Sequence, residues 1–134
     1  MPFEYKTRVR LHQTDAAGIL FYSKIFEMAF DTYAEFLQAH SMSVGYIIST
    51  ADYTMPYIHA EADYLAPLVV DDLVTIAIRV AKIGKTSFVL NYDVMTNGRL
   101  AARVKTVHVT VRKKTGQKIP LPDDIRRVLE SAFE

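Results

Sequence analysis

One stretch of this chain, from about Tyr22 to Ala39, carries apolar residues at helical spacing over several turns, whereas most of the chain after Thr50 alternates with a period of two. Ile25, Met28, Ala29, Thr32, Tyr33, Phe36 and Leu37 fall on one side of that stretch, and Lys24, Glu27, Asp31, Glu35 and Gln38 lie elsewhere. This is the pattern of an amphipathic helix whose apolar side is too large to stand alone. Ser23 stands at the N-cap position, but Phe26 rather than an acid follows three residues on, so the capping box is incomplete. A single long helix beside period-two runs demands a sheet that curls around it.

The period-two runs supply that sheet. Phe3 to Leu11 alternates as a half-buried strand, and the polar, small-residue stretch His12 to Gly18 has to turn. His40 to Thr50 reads as a loop with room for a short helical turn. Tyr57 to Leu65 sets Ile58, Ala60, Ala62 and Tyr64 on one face and His59, Glu61 and Asp63 on the other. Val74, Ile76, Ile78 and Val80 line a further strand, and Ile83-Gly84-Lys85-Thr86 turns the chain into Phe88, Leu90, Tyr92 and Val94. Asn97-Gly98 between two such runs is a strong signal for a type I′ hairpin. In the last run, Leu100 to Arg112, the apolar phase moves from even positions (Leu100, Ala102, Val104) to odd ones (Val107, Val109, Val111). That slip predicts a bulge, or two halves that face different partners. Pro122-Asp123-Asp124 suits the first turn of a short C-terminal helix. The expectation is one α+β domain over residues 1–134: a strand, a helix, then an antiparallel meander of about four long strands. Its free edges call for an oligomer.

Composition excludes several classes. Lys plus Arg number 16 against 15 Asp plus Glu, mixed along the chain, so nothing points to a nucleic-acid partner. No cysteine is present, which removes disulfides, thiolate metal sites and a cysteine nucleophile together. No apolar run approaches the roughly 20 residues of a membrane-spanning helix, and the polar N-terminus is unlike a signal peptide. A cytoplasmic protein without a membrane partner is expected.

The segment Thr14-Asp15-Ala16-Ala17-Gly18-Ile19-Leu20-Phe21-Tyr22 resembles the signature of the 4-hydroxybenzoyl-CoA thioesterase branch of the hot-dog superfamily: an Asp, a Gly three residues on, and an aromatic leading into the long helix. Pro56 to Leu68 is similar to the second strand of that branch. Within it, His59-Ala60, Asp63-Tyr64 and Pro67-Leu68 are most like the 1,4-dihydroxy-2-naphthoyl-CoA hydrolases of quinone biosynthesis. The resemblance implies a hot-dog fold, hydrolysis of an acyl- or aryl-CoA, a homo-oligomer of two or four chains, and no cofactor beyond the CoA of the substrate. It implies that Asp15 attacks the thioester carbon or activates water, and that the backbone N–H near Tyr22 polarises the carbonyl. The plain alternative is that Asp15 only closes an Asx-turn with Gly18 fitting the loop. A hot-dog dehydratase or a non-catalytic acyl-CoA binding module remain the other classes.

Other residues carry weaker suggestions. His59, beside Glu61 and Asp63, reads as a pocket wall or substrate hydrogen bonder, or equally as a structural histidine; the three make a poor metal site and none is expected. Gly18 is expected to let the backbone approach a ligand. Glu27 and Asp31 are rival carboxylates on the helix. Lys85, Thr86 and Ser87 could hold CoA phosphates, as the resemblance of their turn to a CoA-contacting segment implies, and Arg112-Lys113-Lys114 could do the same. Tyr64, Phe88 and Tyr92 are expected in the core, and His108 has no assigned role.

Overall fold

The computed structural model describes residues 2–133. Three central strands form where the alternation is most apolar: β4 (Leu73–Ile83), β5 (Ser87–Thr96) and β6 (Arg99–Val109). They are antiparallel neighbours, with Ile76 opposite Val94, Ile78 opposite Tyr92 and Tyr92 opposite Val104. Asn97 and Gly98 both take positive φ (51° and 73°), as a type I′ turn requires. The inner face made by Val74, Ile76, Ile78, Val80, Phe88, Leu90, Tyr92 and Val94 is fully buried. Across it lies α1 (Lys24–Ala39), burying the seven residues that its periodicity singled out. Each large apolar side chain so removed from water contributes about 1.5–3 kcal/mol, which is what holds a helix of this length in place.

The remaining strands depart from a simple meander. The sheet runs β1-β4-β5-β6-β3, with β1 (Phe3–Arg8) on one edge and β3 (Tyr57–Tyr64) on the other. Strand β3 therefore skips over its successors in sequence to pair with β6. The physical reason is burial: β3 is exposed along nearly its whole length, and a strand without a large apolar inner face competes poorly for a central place. Strand β1 is also shorter than its alternation suggests. The Gln13 side chain accepts the Arg10 N–H (2.9 Å), turning the chain into a short 3-10 segment at Leu11–Gln13 and leaving Leu11 exposed.

The phase slip in the last strand has a different cause from a local bulge at its midpoint. Even positions stay inward past Val104, but Thr106 and His108 occupy them, both fully buried. The bulge lies earlier, at Ala101, between the pairs Met95–Leu100 and Val94–Ala102. It frees the Ala101 carbonyl to accept N–H bonds from both Leu65 and Ala66 (2.9 and 3.1 Å). A change of partner does occur beyond Thr110, where β7 (Val111–Arg112) leaves the main sheet to pair with β2 (Tyr53–Thr54). Strand β3 carries its own bulge at Ile58, since Tyr57 faces His108 and His59 faces Val107. The extra residue turns Tyr57 inward, where the alternation had placed Ile58. Two helices complete the chain. The short α2 (Val44–Ser49) is capped by the Ser43 hydroxyl accepting the Tyr46 N–H (3.0 Å), and α3 (Asp123–Ser131) begins after Pro122 with two acids in its first turn.

Candidate active site

Residues 14–20 form a tight loop closed by its own backbone. Thr14 bridges Leu20, the Asp15 N–H donates to the Ile19 carbonyl (2.9 Å), and the Gly18 N–H donates to the Asp15 carbonyl (3.0 Å). Asp15 Oδ1 accepts from the N–H groups of Ala17 (2.8 Å) and Ile19 (3.3 Å), which is an Asx-turn. The turn occupies one carboxylate oxygen. Oδ2 accepts no bond among the described residues, and the side chain is exposed. Gly18 is required for its conformation rather than for space: its φ is +75°, and an added Cβ would meet only the Val70 side chain, at 3.9 Å. The loop sits on the segment after β3, with Leu20 N–H donating to the Leu68 carbonyl (2.8 Å) and Val70 N–H to the Gly18 carbonyl (2.9 Å).

The loop leads directly into α1. Phe21 N–H donates to the Gln13 carbonyl (2.8 Å), Lys24 N–H to the Phe21 carbonyl (2.9 Å) and Phe26 N–H to the Ser23 carbonyl (3.2 Å). Among the described residues the N–H groups of Tyr22 and Ser23 have no partner, as expected at a helix start, where the peptide dipoles also present positive charge. Ser23 stands at the N-cap but its side chain makes no capping bond to the first turn of α1. The Tyr64 hydroxyl, at the end of β3, donates to the Tyr22 carbonyl. Tyr64 is 48% exposed, not a core residue, and with Ile19, Leu20, Leu65, Pro67 and Leu68 it lines a cavity of about 300 Å³ beside the Asp15 loop. Residues 15–23 and the end of β3 thus supply an exposed carboxylate, two free amide donors and an apolar recess.

The other residues singled out from sequence lie elsewhere on the chain. His59 is on β3, five residues from Tyr64 and thus about 16 Å along the strand. Its Nε2 lies 2.8 Å from Glu61 Oε1, and Glu61 and Asp63 stand opposite Lys105 and Arg103 across the sheet, so these acids have cationic neighbours. Among the described residues no cluster of His, Asp and Glu is placed to hold a metal. Lys85, Thr86 and Ser87 form the β4–β5 turn, at the far end of a strand of 11 residues whose near end adjoins the Asp15 loop. That separates them from Asp15 by about 30 Å within one chain. The Lys85 carbonyl accepts from Leu121 N–H (2.8 Å) and the Thr86 carbonyl from Thr110 N–H (2.9 Å), leaving the Lys85 side chain exposed. In the second basic group, Arg112 pairs with Asp52 (2.6 Å), and Lys113 Nζ donates to the last carbonyls of α2, that of Ile48 at 3.0 Å. Glu27 pairs with Lys24 (2.9 Å), and the Asp31 carboxyl is raised by partial burial and by its neighbours Glu27 and Glu35.

A second feature was not singled out from sequence. Phe30, Tyr33, Ile47, Ile48, Met55 and Tyr57 line an apolar groove of about 360 Å³ between α1, α2 and the start of β3. Behind it His108 stacks parallel on Phe88 (4.7 Å) and against Tyr57 (4.2 Å) and Tyr33 (4.9 Å). Its Nε2 meets the Thr106 hydroxyl (2.9 Å), which also meets the Tyr92 hydroxyl (3.2 Å), while Nδ1 has no hydrogen-bond partner among the described residues. Burial pushes the imidazole down to about 4, against a weaker opposing pull from the Met55 backbone. The available signal was that Thr106 and His108 continue the inward phase of Val104; only polarity concealed it.

Comparison with known proteins gives a consistent result. The profile described as "Thioesterase-like superfamily" matches residues 9–129. A 1,4-dihydroxy-2-naphthoyl-CoA hydrolase of Nostoc punctiforme is 31% identical over 98% of this chain and 88% of its own length. Among solved structures, a 1,4-dihydroxy-2-naphthoyl-CoA thioesterase from Synechocystis superposes with a TM-score of 0.90 at 27% identity, covering 96% of both chains. A gentisyl-coenzyme A thioesterase superposes with a TM-score of 0.85 at 27% identity, over 92% of this chain and 99% of that one.

Proposed function

The chain belongs to the thioesterase-like superfamily and is an acyl-CoA thioesterase of the hot-dog fold, and we propose that it cleaves an aryl thioester, 1,4-dihydroxy-2-naphthoyl-CoA, through Asp15. The observation that carries the assignment of Asp15 is its free carboxylate oxygen, in the loop that runs into the unpaired N–H groups of Tyr22 and Ser23. Those amides, at the positive end of α1, polarise the thioester carbonyl and stabilise the oxyanion that forms on it. Asp15 attacks the carbonyl carbon or takes a proton from an attacking water. The leaving thiol has a pKa of roughly 8.5, going by cysteine, and departs without a strong acid. The reaction requires no cofactor.

The site is completed by a second copy of the chain. Strand β3 has an unpaired edge with Ile58, Tyr64 and Leu65 exposed, a surface that is a liability in a lone subunit. Antiparallel pairing of β3 with its copy sets the Tyr64 end of one strand beside the Tyr57 end of the other. The aromatic groove and His59 of one subunit then approach the Asp15 of its neighbour, and so does the Lys85–Ser87 turn as a phosphate site. A dimer or a pair of dimers in the cytoplasm is part of the same proposal; among the described residues no helix is long and apolar enough to cross a membrane.

The test is release of free CoA from a panel of aryl and aliphatic acyl-CoAs, wild type beside Asp15→Asn. Rapid cleavage of dihydroxynaphthoyl-CoA that is lost in the variant, with the oligomer intact, is the expected result. Faster cleavage of 4-hydroxybenzoyl or short aliphatic thioesters would move the substrate and keep the mechanism. An Asp15→Asn enzyme with undiminished turnover would overturn the role of Asp15.

A further inference from the structure

We infer that Tyr64 is a positioning residue for the amide that polarises the substrate carbonyl, an inference that rests on the function proposed above. Helix α1 leaves the Tyr22 carbonyl unused, because the Phe26 N–H, which would reach it in a regular first turn, donates to Ser23 instead (3.2 Å). The Tyr64 hydroxyl donates to that carbonyl from the end of β3. On the other side, the Phe21 N–H is tied to the Gln13 carbonyl at 2.8 Å. The Tyr22 N–H therefore lies between two anchored peptide groups, one fixed by Gln13 at the end of the 3-10 segment and the other by Tyr64 on β3. A bond to the Tyr22 carbonyl also polarises the Ser23 N–H of the same peptide group and makes it the stronger donor.

The remaining geometry supports a role beyond packing. Tyr64 is half exposed, so it adds little to the core, and its phenol O–H is available as a donor. It stands on the strand whose free edge is proposed to meet the second subunit. Ordering that edge in the dimer thereby also sets the orientation of the donors at the helix start, and Tyr64 carries the constraint from interface to reaction site.

The experiment is Tyr64→Phe, read by free-CoA release, thermal midpoint, sedimentation and hydrogen–deuterium exchange of the peptide spanning residues 20–26. A misdirected donor lowers kcat by about tenfold while KM stays within about twofold. The thermal midpoint and oligomer should be unchanged, and the bonded amides of Phe21, Lys24 and Phe26 should exchange faster than in wild type. Unchanged kcat, a rise in KM at constant kcat, or unaltered exchange in this peptide would each overturn the inference. A wild-type enzyme that cleaves thioesters beside an unimpaired variant defeats this inference alone. A wild type that cleaves none defeats the proposed function and this role with it, while the exchange data still report whether the contact orders the helix start.

Discussion

His108 allows a prediction whose size follows from its surroundings. Its ring is fully buried among Phe88, Tyr57 and Tyr33, and its pKa is pushed from the ordinary 6.5 down to about 4. The unfolded chain therefore binds a proton near pH 6.5 that the folded chain refuses until about pH 4. Stability from this residue is complete above pH 6.5 and declines as pH falls through that window. Linkage puts the loss at about 2 kcal/mol between pH 7 and pH 5, and about 3 kcal/mol by pH 4. His108→Phe keeps an aromatic ring in the stack, removes the titrating nitrogen and leaves the Thr106 hydroxyl paired with Tyr92. Urea unfolding followed by circular dichroism at pH 7 and pH 5, at one protein concentration because the chain is proposed to assemble, measures the difference. Wild type should lose about 2 kcal/mol more than the variant over that interval. An equal loss in both proteins would refute the argument and show that the buried ring accepts its proton in the native state.

Two further outcomes are expected. Gly18→Ala has no atom nearer than 3.9 Å to its new methyl group, but must hold a left-handed φ of +75°. It should destabilise by about 1–2 kcal/mol and reduce thioester cleavage by shifting the Asp15 loop, which thermal unfolding and a thiol-release assay would show together. Ile58→Glu puts a charge on the bulge at the free edge of β3. It should weaken self-association by about tenfold in sedimentation and lower activity in parallel, whereas a monomer with full activity would argue against a shared site.

Features governed by neighbouring residues were legible in the sequence. The span of α1 and the faces it buries followed from the spacing of Ile25 to Leu37, because a helix repeats every 3.6 residues whatever it packs against. The Asn97-Gly98 turn and the acidic first turn of α3 depend on local backbone preference, and both formed as expected. The Asx-turn at Asp15, stated as the plain alternative for that residue, is likewise a local feature and formed. Strand order was not. Alternation says that β3 is a strand, but its place at the edge beside β6 was decided by the greater apolar burial that β4, β5 and β6 achieve together. Thr106 and His108 looked outward by polarity and were drawn in by register, the bonds of Thr106 to His108 and to Tyr92 offsetting part of the loss of water. Distance across the fold was decided by the sheet as well. The turn at Lys85–Ser87 lies a full strand length from Asp15, so within one chain these residues stay apart.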